Sequence, residues 1–380
     1  MDDFSPLSPK QVLAYFKHKG LKPPRHRKTK KPTTNDEALQ EFIRQRADLV
    51  LEKVLEARHL NKAISYLDDT YLGRDGRLHP RYTYLPKTGR LSSKAPNIMN
   101  IPQGRGHDIM REAAQAIRGA MIPDEGFTLI DVDWKAIEAV LVGFFAQDED
   151  YILAAKKGVH DIFASHLLVR EGHLKEPWSA RDTDLDSKIE WLKKKHKAVR
   201  DRAKKRIHAG SYGQGSYNMA KDLGISVAEV KVLDEVFAQM APKVAKWQDA
   251  TRRMAHYEGG LTNPFGYSSN FFEVFRKGKN GEWVLGKEAS EALAQNPQST
   301  AAAMLRECLL LLGQQESDWF QLLIPTHDSI TAQARTDRVA DGVDLMSAAM
   351  CRPWPELGGL VVDIEIKTGP SMDQLKPWTP

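Results

Sequence analysis

Apolar residues recur at helical spacing through residues 36–60, where Leu39, Phe42, Ile43, Ala47, Leu49, Val50 and Val54 form one stripe. Asn35 stands where an N-cap is expected, so one long helix is predicted there. A shorter helical pattern covers 9–19, and residues 71–105 are rich in turns. Residues 119–134 read as strand, turn and strand around Pro123-Asp124-Glu125-Gly126, followed by an apolar helix over 136–145. Residues 149–260 are charged and mostly helical, and Asn263-Pro264-Phe265-Gly266 breaks the pattern. A hairpin is predicted over 267–286, turning near 277–281, then a buried helix over 300–312 and strand patterns at 322–332 and 360–366. Together these elements predict an α+β fold: a small antiparallel sheet backed by helices and interrupted by a large helical insertion.

Two acidic segments fall on the predicted strands. In Thr128-Leu129-Ile130-Asp131-Val132-Asp133-Trp134, alternation puts Leu129, Asp131 and Asp133 on one face and Ile130 and Val132 on the other. Asp133 stands nearer the strand end, and Glu138 follows in the first turns of the next helix. Thr326-His327-Asp328-Ser329 lies between two apolar runs, which suits a hairpin tip. Two carboxylates brought from distant strands could hold divalent cations. The plainer readings are an aspartate capping a helix and an ordinary turn.

Between these segments Arg200, Lys204, His208 and Tyr212 recur every four residues. At 3.6 residues per turn they stay roughly on one side of a helix. Arg grips phosphate as a fork and Lys as a point charge, so the stripe suits a triphosphate, although a solvated helix face has the same pattern. Lys and Arg also cluster at 22–31 and 193–206. Both clusters fit phosphate contacts or solvated charged faces. The net charge of +5 decides little by itself.

Composition narrows the class. With 41% hydrophobic and 28% charged residues the chain is globular rather than disordered. Cys308 and Cys351 form no CxxC or Cys/His pattern, which argues against a zinc site or a disulfide framework. No apolar run reaches the roughly 20 residues of a membrane span, and the polar N-terminus is not a signal peptide. Reduced thiols in a cytoplasmic setting are the default.

Seven segments in order resemble the motifs of family A, polymerase I-like, DNA polymerases. Thr88-Gly89-Arg90-Leu91-Ser92-Ser93 matches TGRLSS, and Pro96-Asn97-Ile98-Met99-Asn100-Ile101-Pro102 is similar to PNLQNIP. Asp133-Trp134-Lys135-Ala136-Ile137-Glu138 resembles motif A, usually DYSQIE. Arg200 to Gly213 fits motif B, R-x3-K-x7-YG, without a gap. Gln298-Ser299-Thr300-Ala301-Ala302 resembles QGTAA, Thr326 to Ser329 resembles motif C, usually VHDE, and the stretch from Gly369 to Gln374 resembles GxxWDQ.

The resemblance implies a right-hand polymerase. The thumb would be 1–72 and N-terminally incomplete, the palm 73–148 and 262–380 with the antiparallel sheet, and the helical fingers 149–261. It implies a template-directed DNA polymerase, a nucleotidyltransferase extending a primer 3′-hydroxyl with deoxynucleoside triphosphates on primer–template DNA. Asp133, Asp328 and the Trp134 carbonyl would hold a pair of Mg²⁺ ions, for which Mn²⁺ could substitute. Arg200, Lys204, His208 and Tyr212 would contact the incoming nucleotide, with Lys204 a proton donor to pyrophosphate. Glu138 would exclude ribonucleotides, and Arg90, Asn97, Gln298 and His327 would contact the DNA.

Several residues depart from the pattern. Ser329 replaces the motif C glutamate, His208 an aromatic, Val140 an arginine and Met99 a glutamine. Residues 5–13 resemble the family's mid-thumb segment LSPKQL, whereas relatives carry a long helix and an exonuclease domain before it. A separate partner chain supplying both, and an exposed apolar groove along the 39–54 stripe to receive the helix, are therefore expected. Met1 and the polar residues after it favour a natural start. A single-subunit RNA polymerase shares the palm, but Glu138 and the two upstream motifs argue against it. A catalytically weak DNA-binding subunit of a split replicase is the alternative, motivated by Ser329.

Overall fold

The computed structural model describes residues 4–379 apart from 26–28, 30, 67–70, 85, 102–107, 212, 214 and 279. The side chains of 108–110, 208, 209, 211, 217, 218 and 222 also lie outside the described set. The chain divides into two units, Met1–Tyr82 with Ser93–Pro123 and Pro370–Leu375, and Thr83–Ser92 with Asp124–Gly369 and Lys376–Pro380.

The first unit holds α1 (Pro9–His18), α2 (Asp36–Arg46), α3 (Leu49–Ile64) and α4 (Asp108–Gly119). Asn35 caps α2 as expected, its side chain accepting the Ala38 N–H at 3.2 Å. The single long helix predicted over 36–60 is broken, however. Ala47 adopts a left-handed φ of 47°, and Asp48 starts a new helix by accepting the N–H groups of Val50 and Leu51. The break turns part of the apolar stripe inward. Leu39, Phe42, Leu51 and Val54 pack with Val12 and Phe16 of α1 in one buried cluster. Leu49 and Val50 of that stripe stay exposed, so the apolar surface left along it is confined to the start of α3. Residues 119–122 are not a strand; α4 runs into them, and its Ala114 and Ile117 are buried. Two three-residue strands, β1 (Arg81–Thr83) and β2 (Ser92–Lys94), stand where the chain passes between units.

The second unit is built on β3 (Phe127–Trp134) and α5 (Ile137–Phe145). A helical series follows: α6 (Glu149–Lys157), α7 (Val159–Arg170), α8 (Leu185–Lys195), α9 (Lys197–Ser211), α10 (Ser216–Leu223), α11 (Val227–Met240) and α12 (Pro242–Tyr257). Phe163, Leu168, Leu192, Ala203, Ile207 and Phe237 lie in its shared core. Strands β4 (Gly260–Thr262) and β5 (Ser268–Asn270) pair around the expected break, where Gly266 takes a φ of 80°. The predicted hairpin is narrower than expected, comprising β6 (Phe275–Lys277) and β7 (Trp283–Leu285). Helix α13 (Ala289–Gly313) is much longer than the predicted 300–312 and runs through Pro297.

The remaining elements are β8 (Phe320–Pro325), β9 (Ser329–Arg335), α14 (Val339–Met350), β10 (Ile364–Gly369) and β11 (Lys376–Pro377). The antiparallel sheet has the order β11-β10-β3-β9-β8, with β3 at its centre. Ile130 and Val132 are fully buried on one face of β3. Helix α14 comes so close to that face that a Cβ on Gly342 would lie 2.7 Å from Ile130 Cδ1. Burying this face leaves Asp131 and Asp133 on the other, as alternation predicted.

Candidate active site

The β3–β9 ladder pairs Asp133 with Ser329 and Asp131 with Thr331. Asp328 is the residue before β9, in the tip of the β8–β9 hairpin, and its carbonyl accepts the Trp134 N–H at 3.0 Å. Sheet pairing thus brings together two aspartates 195 positions apart in the chain (328 less 133). Burial and the neighbouring Asp328 and Asp131 carboxylates push the Asp133 carboxyl up to about 7. Burial, and next Glu138, raise the Asp328 carboxyl as well. Asp133 caps no helix: α5 follows Ala136, which has a left-handed φ of 50° and makes no side-chain cap bond.

Asp131 shares the face of Asp133 but accepts a hydrogen bond from the Thr331 hydroxyl at 2.7 Å. The Trp134 side chain points into the core, its Nε1–H donating to the Met350 carbonyl at 3.0 Å. Ser329, in place of a third carboxylate, is buried with its hydroxyl 2.6 Å from that of Thr326. Across β3, β10 sets Glu365 opposite Asp133 and Lys367 opposite Asp131. Lys367 opposes the rise at Asp133, and Glu365 adds to it. Sequence reading missed this flanking pair, because only the strand order reveals which strand lies next to β3.

Arg90 reaches the same place. Gly89 closes a turn, its N–H donating to the Pro86 carbonyl at 2.8 Å with a φ of 66°, and Arg306 donates to the Gly89 carbonyl at 3.0 Å. The turn delivers Arg90 to Glu138, with which it forms a hydrogen-bonded ion pair. Burial and the Arg90 charge lower the His327 pKa, so the ring is neutral at pH 7, and its Nδ1 is buried without a hydrogen bond. Arg90, Glu138, His327, Asp328 and Asp133 therefore form one electrostatically connected group.

The helix α9 carries the rest of the expected machinery. Val199, Ala203 and Ile207 form its buried face, which places Arg200 and Lys204 at the margin. Arg200 does not stand free. Its Nε–H donates to Asp161 Oδ1 at 2.5 Å, an anchor on α7 that sequence reading missed. Other cations of the 193–206 cluster are also ion-paired: Lys193 with Glu190, Arg202 with Glu171, and buried Arg206 with Asp234. The cluster is thus partly an internal ion-pair network rather than a bare phosphate-binding face. The His208 side chain and Tyr212 lie outside the described residues, as do several residues of the basic stretch 22–31. Gly213, after Tyr212, has a φ of 60°, and a Cβ there would meet Arg252 Nη2 at 2.1 Å.

Gln298 is half-buried on α13, whose neighbours Gln295 Nε2, Asn296 Oδ1 and Thr300 Oγ1 are buried without hydrogen bonds. Asn97 belongs to the other unit, where its Oδ1 accepts from the Ser93 hydroxyl at 3.1 Å. No helix among the described residues is long and apolar enough to cross a membrane.

The donor set can be tested against divalent cations. Two half-buried carboxyls held above their ordinary range are short of positive charge, and hard cations take oxygen ligands. The described residues contain no cluster of three or more metal-ligating side chains. Mg²⁺ commonly binds through only one or two carboxylates and takes substrate phosphates and water for the rest. The pair therefore fits such an ion in company with a phosphorylated substrate.

Residues 1–374 match the profile of DNA polymerase family A. The thermostable DNA polymerase I of Thermus aquaticus is 28% identical over 359 residues, covering 92% of this chain and 39% of that protein. DNA polymerase I of Pseudomonas aeruginosa is 27% identical over 372 residues, covering 91% of this chain and 36% of that one. The chain thus spans about two fifths of the length of the curated relatives it matches. A solved structure described as the POL domain of Pol1 from M. smegmatis in complex with DNA primer-template and dNTP has the same fold. Its TM-score is 0.78 at 24% identity, covering 98% of this chain and 62% of that one. The match along nearly its whole length establishes that this chain belongs to DNA polymerase family A.

Proposed function

We propose that this chain is a template-directed DNA polymerase that adds deoxynucleotides to a primer 3′-hydroxyl at the Asp133–Asp328 pair. The observation that carries the reading is the raised Asp133 carboxyl, pushed to about 7 by burial and by Asp328. An arrangement that holds two like charges together without a fixed cation is costly unless a ligand brings positive charge. A pair of divalent cations, when bound there, would acidify the 3′-hydroxyl and neutralise the departing pyrophosphate.

The chain's own residues take the remaining roles. Asp133 and Asp328 orient the reacting groups, held near each other by the bond from the Trp134 N–H to the Asp328 carbonyl. Arg200, with its Nε and Nη2 held by Asp161, presents Nη1 to a triphosphate, and Lys204 donates a proton to the leaving pyrophosphate. Glu138, braced by Arg90, fills the space of a ribose 2′-hydroxyl. His327 and Gln298 contact the primer terminus and minor groove, where acceptors look alike in all correct pairs. His208 and Tyr212 pack on the nucleotide, and Asn97 contacts the DNA. Residues 1–72 serve as thumb, 73–148 with 262–380 as palm, and 149–261 as fingers.

Ser329 favours one second reading, a polymerase-derived subunit that grips DNA with little turnover, because it leaves motif C without an accessory carboxylate. Primer extension with Mg²⁺ and four deoxynucleoside triphosphates separates the two. Extension that stops when Asp133 is replaced supports the polymerase; DNA binding without extension supports the subunit.

A further inference from the structure

The β6–β7 hairpin and the end of α12 carry aromatic surface that packing within the unit leaves largely open at Trp283 and Tyr257. The ladder sets Phe275 opposite Leu285 and Lys277 opposite Trp283, so these four share one face. His256 on α12 meets that face, its ring centroid 5.4 Å from Phe275 and 5.5 Å from Trp283, and Tyr257 lies 5.3 Å away. Yet Trp283 is 61% exposed and Tyr257 81%. Large aromatics left open together mark an interaction surface more often than a core.

The surface is held in shape. Glu288 is buried at the hairpin's base and accepts the N–H groups of Phe272 and Glu273 at 2.6 and 2.7 Å. Burial works against its charge, but the Lys87 ammonium and these N–H groups outweigh it and lower its carboxyl to about 2. The tip is closed by the Gly278 N–H to the Glu282 carbonyl at 2.7 Å.

Its side-chain chemistry selects the occupant. Residues 272–288 carry four Lys and Arg against three Glu, a net of +1. Of the glutamates, Glu273 is already paired with Lys287 at 3.0 Å, and Glu282 accepts the Asn280 N–H. The acidic Glu258 borders Tyr257. Lys277 Nζ sits 6.0 Å from the Trp283 ring centre, and Arg276 is exposed on the other face. Exposed aromatic faces beside the Lys277 ammonium suit an unpaired nucleic-acid strand, whose bases are free to stack; a duplex keeps its base faces to itself. The position agrees. Helix α13 begins just after the hairpin, and its Ser290 hydroxyl donates to the Gly213 carbonyl at 3.1 Å, beside the end of α9.

We infer that Trp283, Tyr257 and Lys277 form a stacking platform for the single-stranded template ahead of the primer terminus. This rests on the polymerase reading for the strand's identity, not for the surface's chemistry. The test measures binding of the intact chain to labelled primer–templates, either blunt or with an unpaired template overhang of about 12 nucleotides. The variants are Trp283→Ala with Tyr257→Ala and, separately, Lys277→Glu, each checked for an unchanged melting curve. The expected result is a loss of roughly tenfold in affinity for the overhang substrate, with blunt binding unchanged and partial recovery in Trp283→Phe. Equal losses on both substrates, or none, would overturn the inference. So would loss of concentration-dependent self-association with DNA affinity intact, which would assign the surface to contact between chains. Selective loss of overhang binding in a chain that extends no primer would refute the polymerase reading and leave the platform standing.

Discussion

The Trp134 N–H donates to the Asp328 carbonyl at 3.0 Å, so a single backbone bond ties the end of β3 to the hairpin tip. Each end of that link carries or adjoins a carboxylate, and no side chain needs to hold them together. Repulsion between them is thereby built into the sheet.

That repulsion has a pH signature. The Asp133 carboxyl is raised to about 7 in the folded chain and lies near 4 when unfolded. The folded state therefore binds the proton more tightly, and stability falls as pH rises from about 4 to about 7. Without divalent cations the chain should be less stable at pH 8 than at pH 5, by on the order of 1–3 kcal/mol from this group. Asp133→Asn should remove most of that difference. Mg²⁺ should raise the melting temperature of the wild type at pH 8 and have little effect on the variant. A wild-type stability that rises between pH 5 and 8 while the variant's does not would contradict this.

Because Arg90 and Glu138 are ion-paired, the proposed role of Glu138 would make sugar selection a property of two residues. Glu138→Ala should increase ribonucleotide incorporation relative to deoxynucleotide. Arg90→Ala should do so to a lesser degree, since it frees Glu138 to swing away. Competitive single-nucleotide incorporation measures both. If neither variant changes sugar preference, the discrimination lies elsewhere, with His208 the next residue to test.

Helix α9 contains a steric pair. A Cβ at Gly210 would lie 1.3 Å from Arg206 Nη1, and Arg206 also stacks on Phe237 with its guanidinium 4.5 Å from the ring centre. Gly210→Ala should destabilise the chain by about 1–3 kcal/mol, as overpacking does. Arg206→Met, by contrast, removes the ion pair with the part-exposed Asp234 and empties part of the space. In the double variant the shorter side chain should relieve the clash, leaving a cost smaller than the sum of the two. Thermal or urea unfolding of all four chains reads the coupling; strict additivity would show that the two sites do not share that space.

Much of this architecture was legible because it rests on short-range patterns. Alternation in 128–134 correctly separated Asp133 from Ile130 and Val132, and the polar step at 326–328 marked a hairpin tip. The Ala47 break was hidden, since an alanine there reads as helix and only its left-handed φ ends α2. The strand reading of 119–122 failed because α4 ends inside it. The partners Asp161, Asp234 and Glu365 could not be found from spacing. They come from α7, α11 and β10, and depend on how those elements pack.

The central claim is that Asp133 and Asp328 together drive nucleotide addition. Primer extension with Mg²⁺ and four deoxynucleoside triphosphates tests it on the wild type and on Asp133→Ala, Asp328→Ala and Asp131→Ala. The wild type should extend the primer. The first two variants should lose extension, by on the order of 10³-fold or more, while still binding duplex DNA. Asp131→Ala should retain much of the activity, since its carboxylate already accepts from Thr331. Full activity in Asp133→Ala or Asp328→Ala, or its loss in Asp131→Ala alone, would contradict the account.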